Sequence, residues 1–277
     1  MGVVRTDKWL LYYMKFWNEK KTERERFLWQ QKLFIKPISD YFREHKVNEL
    51  HHYFLALGLV HPNVNVKSLD NQPFRENLWK VAQQKFLHLR KKWEGPDIPI
   101  FILPIERERE DLIRDVGGKT GVSTESMICL FIDPFIKKEQ LFSLIVHEYH
   151  HICRLERTKN LEETITLLES IIMEGLAEVA VKEEVGQKAL APWVNNYNLE
   201  ECLVLFDYYY RDHLLLKGRK NYRHLLNGDR KAGIPRMLGY SIGYMIVDNV
   251  IEKNHYSTKE LLSMSALTIY KKSSFSK

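Results

Sequence analysis

The sequence predicts an α+β fold that is predominantly helical, and three observations predict it. Two short apolar segments, Ile98 to Leu103 and Met127 to Ile132, have the length and composition of strands. Helix-period stretches fill the chain before and after them. The run Glu94-Gly95-Pro96-Asp97 is the clearest punctuation, and it divides a helical N-terminal region, 1–95, from a second region, 96–277.

Taken in order, the first region carries aromatic helices, including Trp9-Leu10-Leu11-Tyr12-Tyr13 and a longer amphipathic stretch from Phe74 to Trp93. The break at His61-Pro62-Asn63-Val64-Asn65 separates them. Between the two strand segments lies a glycine-bearing loop, Gly117-Gly118-Lys119-Thr120-Gly121. Asp133 is placed to cap a helix that opens near Pro134 and runs through Arg154, with Leu141, Leu144, Ile145, Ile152 and Leu155 at helical spacing. Further helices are expected near 165–185, 198–216, 235–253 and 258–270, the last opened by Ser257 and Glu260 as a capping box.

Composition sets the class. At 277 residues and 44% hydrophobic content the chain can bury a sizeable core. It has no run of 18 apolar residues and no leader-like start, so neither a membrane span nor a membrane partner is expected. Cys129, Cys153 and Cys202 are odd in number and widely spaced, which points away from a disulfide framework and toward a reducing, cytoplasmic location. The net charge of +6 is spread among mixed charges, as in Glu19-Lys20-Lys21-Thr22-Glu23-Arg24-Glu25-Arg26, and matches no nucleic-acid module, so no nucleic-acid partner is expected. Oligomeric state leaves no signature here.

The chemistry is concentrated in His147-Glu148-Tyr149-His150-His151. This H-E-x-x-H lies within the helix expected over 134–154, so His147 and His151 share one face and can bind one Zn2+ together. Glu148 stands one step round, beside the open coordination position, where a carboxylate can take a proton from metal-activated water. The bland alternative is a pair of satisfied core histidines.

A catalytic zinc site needs a third protein ligand, and Glu174, 23 residues after His151, is the candidate. With Leu167, Ile171, Glu178 and Val181 it falls on one helical stripe, which puts two carboxylates among apolar residues. A salt bridge to Lys or Arg would answer that anomaly, and so would a dication shared with the histidines. Glu178, one turn on, is placed to accept the free ring N–H of His147. Gly175 beside the ligand implies packing that needs space, because a mid-helix glycine costs roughly 1 kcal/mol against alanine.

Spacing also constrains the connection. A tight turn at 157–160 would leave Glu174 nine residues too far along, or ~13 Å at ~1.5 Å per residue. The zinc arrangement therefore favours a second helix that starts late, at Thr166 with Glu169, over an early start at Asn160 with Glu163.

H-E-x-x-H followed by Glu174-Gly175-Leu176-Ala177-Glu178 resembles the gluzincin metallopeptidases, the clan of thermolysin. More narrowly, the segments 145–151 and 172–178, with Leu238-Gly239-Tyr240-Ser241-Ile242-Gly243-Tyr244, look like the YjaZ-like predicted zinc-dependent proteases. That resemblance implies a zincin fold, with a small sheet over the active-site helix and an edge strand that aligns an extended peptide or protein substrate; Met127 to Ile132 would be that edge. It makes His147, His151 and Glu174 zinc ligands and Glu148 the general base. It also calls for a phenol or imidazole that stabilises the oxyanion, for which Tyr240 comes first, then Tyr244, His213 and His224. Arg236 is a surface residue or a substrate-carboxylate anchor, while His150 and Cys153 read as buried groups. The rival expectation is a non-catalytic metal-binding protein, structural or regulatory, that retains a zincin fold.

Overall fold

In the computed structural model, which describes residues 1–42, 46–65, 76–133, 135–160 and 163–276, the chain is α+β and predominantly helical. It forms two compact units, Met1–Glu148 and Tyr149–Lys277, and the division falls inside one continuous helix.

In the first unit, β1 (Gly2–Val3) leads into α1 (Thr6–Trp17). Next come α2 (Glu23–Gln30), a π-wound stretch Gln31–Ile35 and α3 (Lys36–Ser39), then α4 (Val47–Leu57) and α5 (Glu76–Trp93). Phe74, where the sequence reading opened this last helix, lies outside the described residues. The unit continues with β2 (Pro99–Pro104), α6 (Glu110–Val116), β3 (Thr120–Thr124) and β4 (Met127–Ile132), and with the first half of α7 (Lys138–Thr158).

The sheet order is β1-β2-β4-β3. The β1/β2 and β2/β4 pairs are parallel, and β3 returns antiparallel to β4. Every residue of β2 and β4 is buried, which is why both read as unbroken apolar runs. Phe101, Leu103, Met127, Cys129 and Phe131 share a core with Leu10, Tyr13, Phe34, Leu50 and Phe54 of the preceding helices.

Two expectations are corrected here. The edge of the sheet near the motif is β3, and β4 is an inner strand flanked by β2 and β3. Thr120-Gly121-Val122-Ser123-Thr124 is short, polar and half-buried, so it carries little strand signal until β4 offers it a ladder. Asp133 does not cap a helix: its carboxylate accepts the Phe135 N–H at 2.7 Å and pairs with Arg107 at 2.6 Å. The helix opens instead at Lys138; Pro134 lies outside the described residues.

In the second unit, α8 (Leu167–Glu184) is the centre, buried from Leu167 through Val181, so that Glu169, Glu174 and Glu178 are buried with its apolar residues. Around it lie α9 (Leu199–Tyr209), α10 (Arg219–Asn227), α11 (Leu238–Asn254), α12 (Thr258–Leu261) and α13 (Ala266–Lys272). The expected helix 198–216 stops at Tyr209, and 258–270 breaks into two pieces after its Ser257–Glu260 capping box.

Helix α8 starts late, as the zinc spacing required. The Thr166 hydroxyl accepts the Glu169 N–H at 3.2 Å, and the otherwise unmet N–H groups of Leu167 and Leu168 donate to Leu216 and Leu214 at 2.9 and 3.0 Å. The reciprocal half of the expected box is missing because the Glu169 carboxylate is engaged by Arg154.

Helices α8 and α11 cross in backbone contact. A Cβ on Gly175 would lie 2.0 Å from the Gly243 carbonyl oxygen, and one on Gly243 would lie 2.1 Å from that of Ile171. The space that Gly175 provides is therefore taken by α11.

Candidate metal centre

Two residues four apart on a helix present side chains one above the other. On α7 this brings His147 and His151 to one side, and from α8 Glu174 meets them: one donor atom from each of the three lies within 4.8 Å of the others. His151 and Glu174 are 8% and 5% exposed, and His151 Nε2 stands 3.3 Å from a Glu174 carboxylate oxygen.

That separation tests the fit of a metal. Ligand atoms ~2.0–2.1 Å from a tetrahedral zinc are ~3.3 Å apart, so these two already have the spacing of one tetrahedron edge. Two imidazoles and a carboxylate are also the donor set of an open zinc site. The residues present fit Zn2+.

Arg154, three residues after His151 on α7, pairs with a different buried carboxylate of α8. Arg154 is fully buried and forks onto Glu169 with bonds of 2.8 and 3.1 Å. Its remaining bonds run to the carbonyls of Leu261, Leu262 and Met264 at 3.0, 2.9 and 2.6 Å.

Glu148, one residue round α7 from His147, is 7% exposed. Its carboxylate accepts the Ser123 hydroxyl from β3 at 2.7 Å. Successive strand residues face opposite ways, so Gly121 lies on the same face of β3 as Ser123. A Cβ at Gly121 would come 2.6 Å from the Glu148 carboxyl group. One strand thus supplies both a donor and a hollow for this side chain.

The other candidates fall in different places. Glu178 is buried and accepts the Ala191 N–H at 2.5 Å. Tyr240, half-buried in the first turn of α11, packs edge-on against Trp193 with ring centroids 5.4 Å apart. Tyr244 is buried beside Lys182, which pairs with Asp248 at 2.7 Å, and burial raises its phenol above the usual range. His213, His224 and Arg236 are exposed. His150 and Cys153 are buried as expected, and burial pushes the Cys153 thiol up to about 12.

Sequence reasoning missed Gly121, Ser123, Arg154 and Glu169. The first two alternate on a strand whose existence depends on its partner. Arg154 had a signal: it lies three residues after His151 and seven after His147, on the stripe that carries both histidines.

Similarity to known proteins follows the same residues. A family model described as a predicted Zn-dependent protease matches residues 78–271. The chain is 32% identical over 223 residues to the uncharacterized protein YjaZ of Bacillus subtilis, covering 80% of this chain and 83% of that one. It is 27% identical over 135 residues to the uncharacterized protein YjfC of the same organism, covering 46% and 45%. No solved structure matches the chain. Among the described residues no helix is long and apolar enough to cross a membrane.

Proposed function

We propose, from the premise that this chain belongs to the family of predicted Zn-dependent proteases, that it hydrolyses peptide bonds at a zinc ion held by His147, His151 and Glu174. The observation that carries the reading is the meeting of those three donors beside a buried Glu148. Zinc, when bound, supplies a Lewis acid for the scissile carbonyl and lowers the pKa of its water from ~15.7 toward ~7.

The chain's own groups do the rest. Glu148 takes the proton of the attacking water and delivers it to the leaving nitrogen, so it works first as base and then as acid. The Ser123 hydroxyl and the hollow at Gly121 hold its carboxylate in one orientation. Tyr240 is assigned as the phenol that donates to the oxyanion, and Glu178 as the acceptor that orients His147. The edge of β3, where Ser123 and Gly121 meet Glu148, is assigned as the strand that aligns an extended peptide or protein substrate in a zincin-like arrangement. All these residues lie in 96–277, with 1–95 as an N-terminal helical region. The cysteines are free and buried, in keeping with a reducing, cytoplasmic setting.

Elemental analysis and peptide-library cleavage, run on the parent, Glu148→Gln and Glu174→Ala, test the reading. The parent should carry zinc and cleave. Glu148→Gln should keep zinc and lose at least roughly 10²-fold in rate, and Glu174→Ala should lose zinc. Parent-like cleavage by Glu148→Gln would remove the assigned base, and a zinc-loaded parent that cleaves nothing would leave a binding protein.

A further inference from the structure

Arg154 takes no part in the chemistry proposed above, yet it is among the largest fully buried side chains of the protein. Burying a guanidinium is costly unless it is paired and its donors are met. Here the forked pair with Glu169 joins α7 to α8, and the three carbonyl bonds join α7 to the segment 261–264. The segment 261–264 is also where the helix expected over 258–270 breaks.

Position makes this pairing relevant to the metal donors. Arg154 lies three residues beyond His151 on α7, and Glu169 lies five before Glu174 on α8. The Arg154–Glu169 bonds and the His151–Glu174 approach of 3.3 Å are thus neighbouring contacts between the same two helices, three residues apart on α7 and five apart on α8. A planar, two-pronged pair constrains both distance and rotation, which a point charge does not. We infer that Arg154 and Glu169 are positioning residues of the metal centre: their pairing sets the register of α7 against α8 at which Glu174 reaches His151. A corollary is that the C-terminal segment carrying Leu261, Leu262 and Met264 supports metal affinity without contributing a ligand.

The inference rests on the metal-site reading, and its test separates the two. Zinc affinity, by competition with a chromophoric chelator, and the visible absorption of the Co2+-loaded protein would be measured on the parent, on Arg154→Lys and on the double variant Arg154→Met with Glu169→Met. The double variant removes the pair without stranding a buried charge. Both variants should bind zinc roughly 10- to 100-fold more weakly, the loss typical of groups that orient ligands, and should show altered Co2+ band intensities while retaining the parent's circular dichroism. A folded double variant with parent affinity and the parent Co2+ spectrum overturns the inference and leaves the metal site standing. Failure of the double variant to fold assigns the pair to general stability and overturns it too. A parent that binds neither ion sinks the metal-site reading itself.

Discussion

At the scale of single residues, Glu148 shows how a side chain acquires a task from its neighbours. Its helix gives it a place beside His147, but a carboxylate on a helix is otherwise free to rotate, and Ser123 with the hollow at Gly121 removes that freedom. Gly121→Ala therefore tests positioning directly. The new methyl would displace the carboxyl group, and a misplacement of about 1 Å is enough to cost about 10²-fold, so cleavage should fall by that order while zinc content stays at the parent level. A second residue-scale prediction concerns His51 in the N-terminal helices. It is fully buried, bonds Gln30 at 2.7 Å, and burial, with His52 and His61 nearby, lowers its pKa from 6.5 to about 4. The unfolded chain then binds more protons than the folded one between those values. Stability from this site is complete above pH 6.5 and is lost as pH falls toward about 4. His51→Gln, which has no such proton to take up, should flatten the dependence of thermal midpoint on pH across that window.

At the scale of elements, the crossing of α8 and α11 brings backbone against backbone. With 2.0 Å between a Cβ at Gly175 and the Gly243 carbonyl oxygen, no rotamer can relieve the overlap, and the helices must part. Overpacking of this kind costs about 3 kcal/mol, so Gly175→Ala should lower the denaturant midpoint accordingly and, because Glu174 is the adjacent residue, weaken zinc binding. Gly186, whose Cβ would meet nothing within 4 Å, marks the contrast, although its positive φ of 111° carries its own strain. The elements also show what a sequence can transmit. The late start of α8 was legible because a cap and a ligand spacing agreed on Thr166. The strand β4 was legible to the residue because an inner strand buries both faces. Strand β3 was not, because an edge strand of small polar residues owes its structure to the ladder it joins. The break between α12 and α13 was not legible either, since the carbonyls exposed there are taken by Arg154, more than 100 residues away in sequence.

At the scale of the whole molecule, the proposed zinc site would link metal and fold. A ligand that binds only the folded chain adds RT ln(1 + [L]/Kd) to stability, about 4 kcal/mol at a thousand times Kd. Removing zinc with a chelator should lower the thermal midpoint of the parent, and the same treatment should leave Glu174→Ala unmoved. A midpoint that ignores the chelator in the zinc-loaded parent would contradict a site of that affinity. By itself the sequence determined the helical class, the two inner strands and the pair of histidines, because helical periodicity and short apolar runs are local and H-E-x-x-H places its histidines within a single turn. Only tertiary structure decided that Glu174 meets those histidines and that Arg154 turns to Glu169. It also decided that β3, rather than β4, forms the edge of the sheet. Each of these depends on a partner distant in the chain, and burial makes each choice of partner exclusive, since a desolvated charge or N–H must be met where it lies.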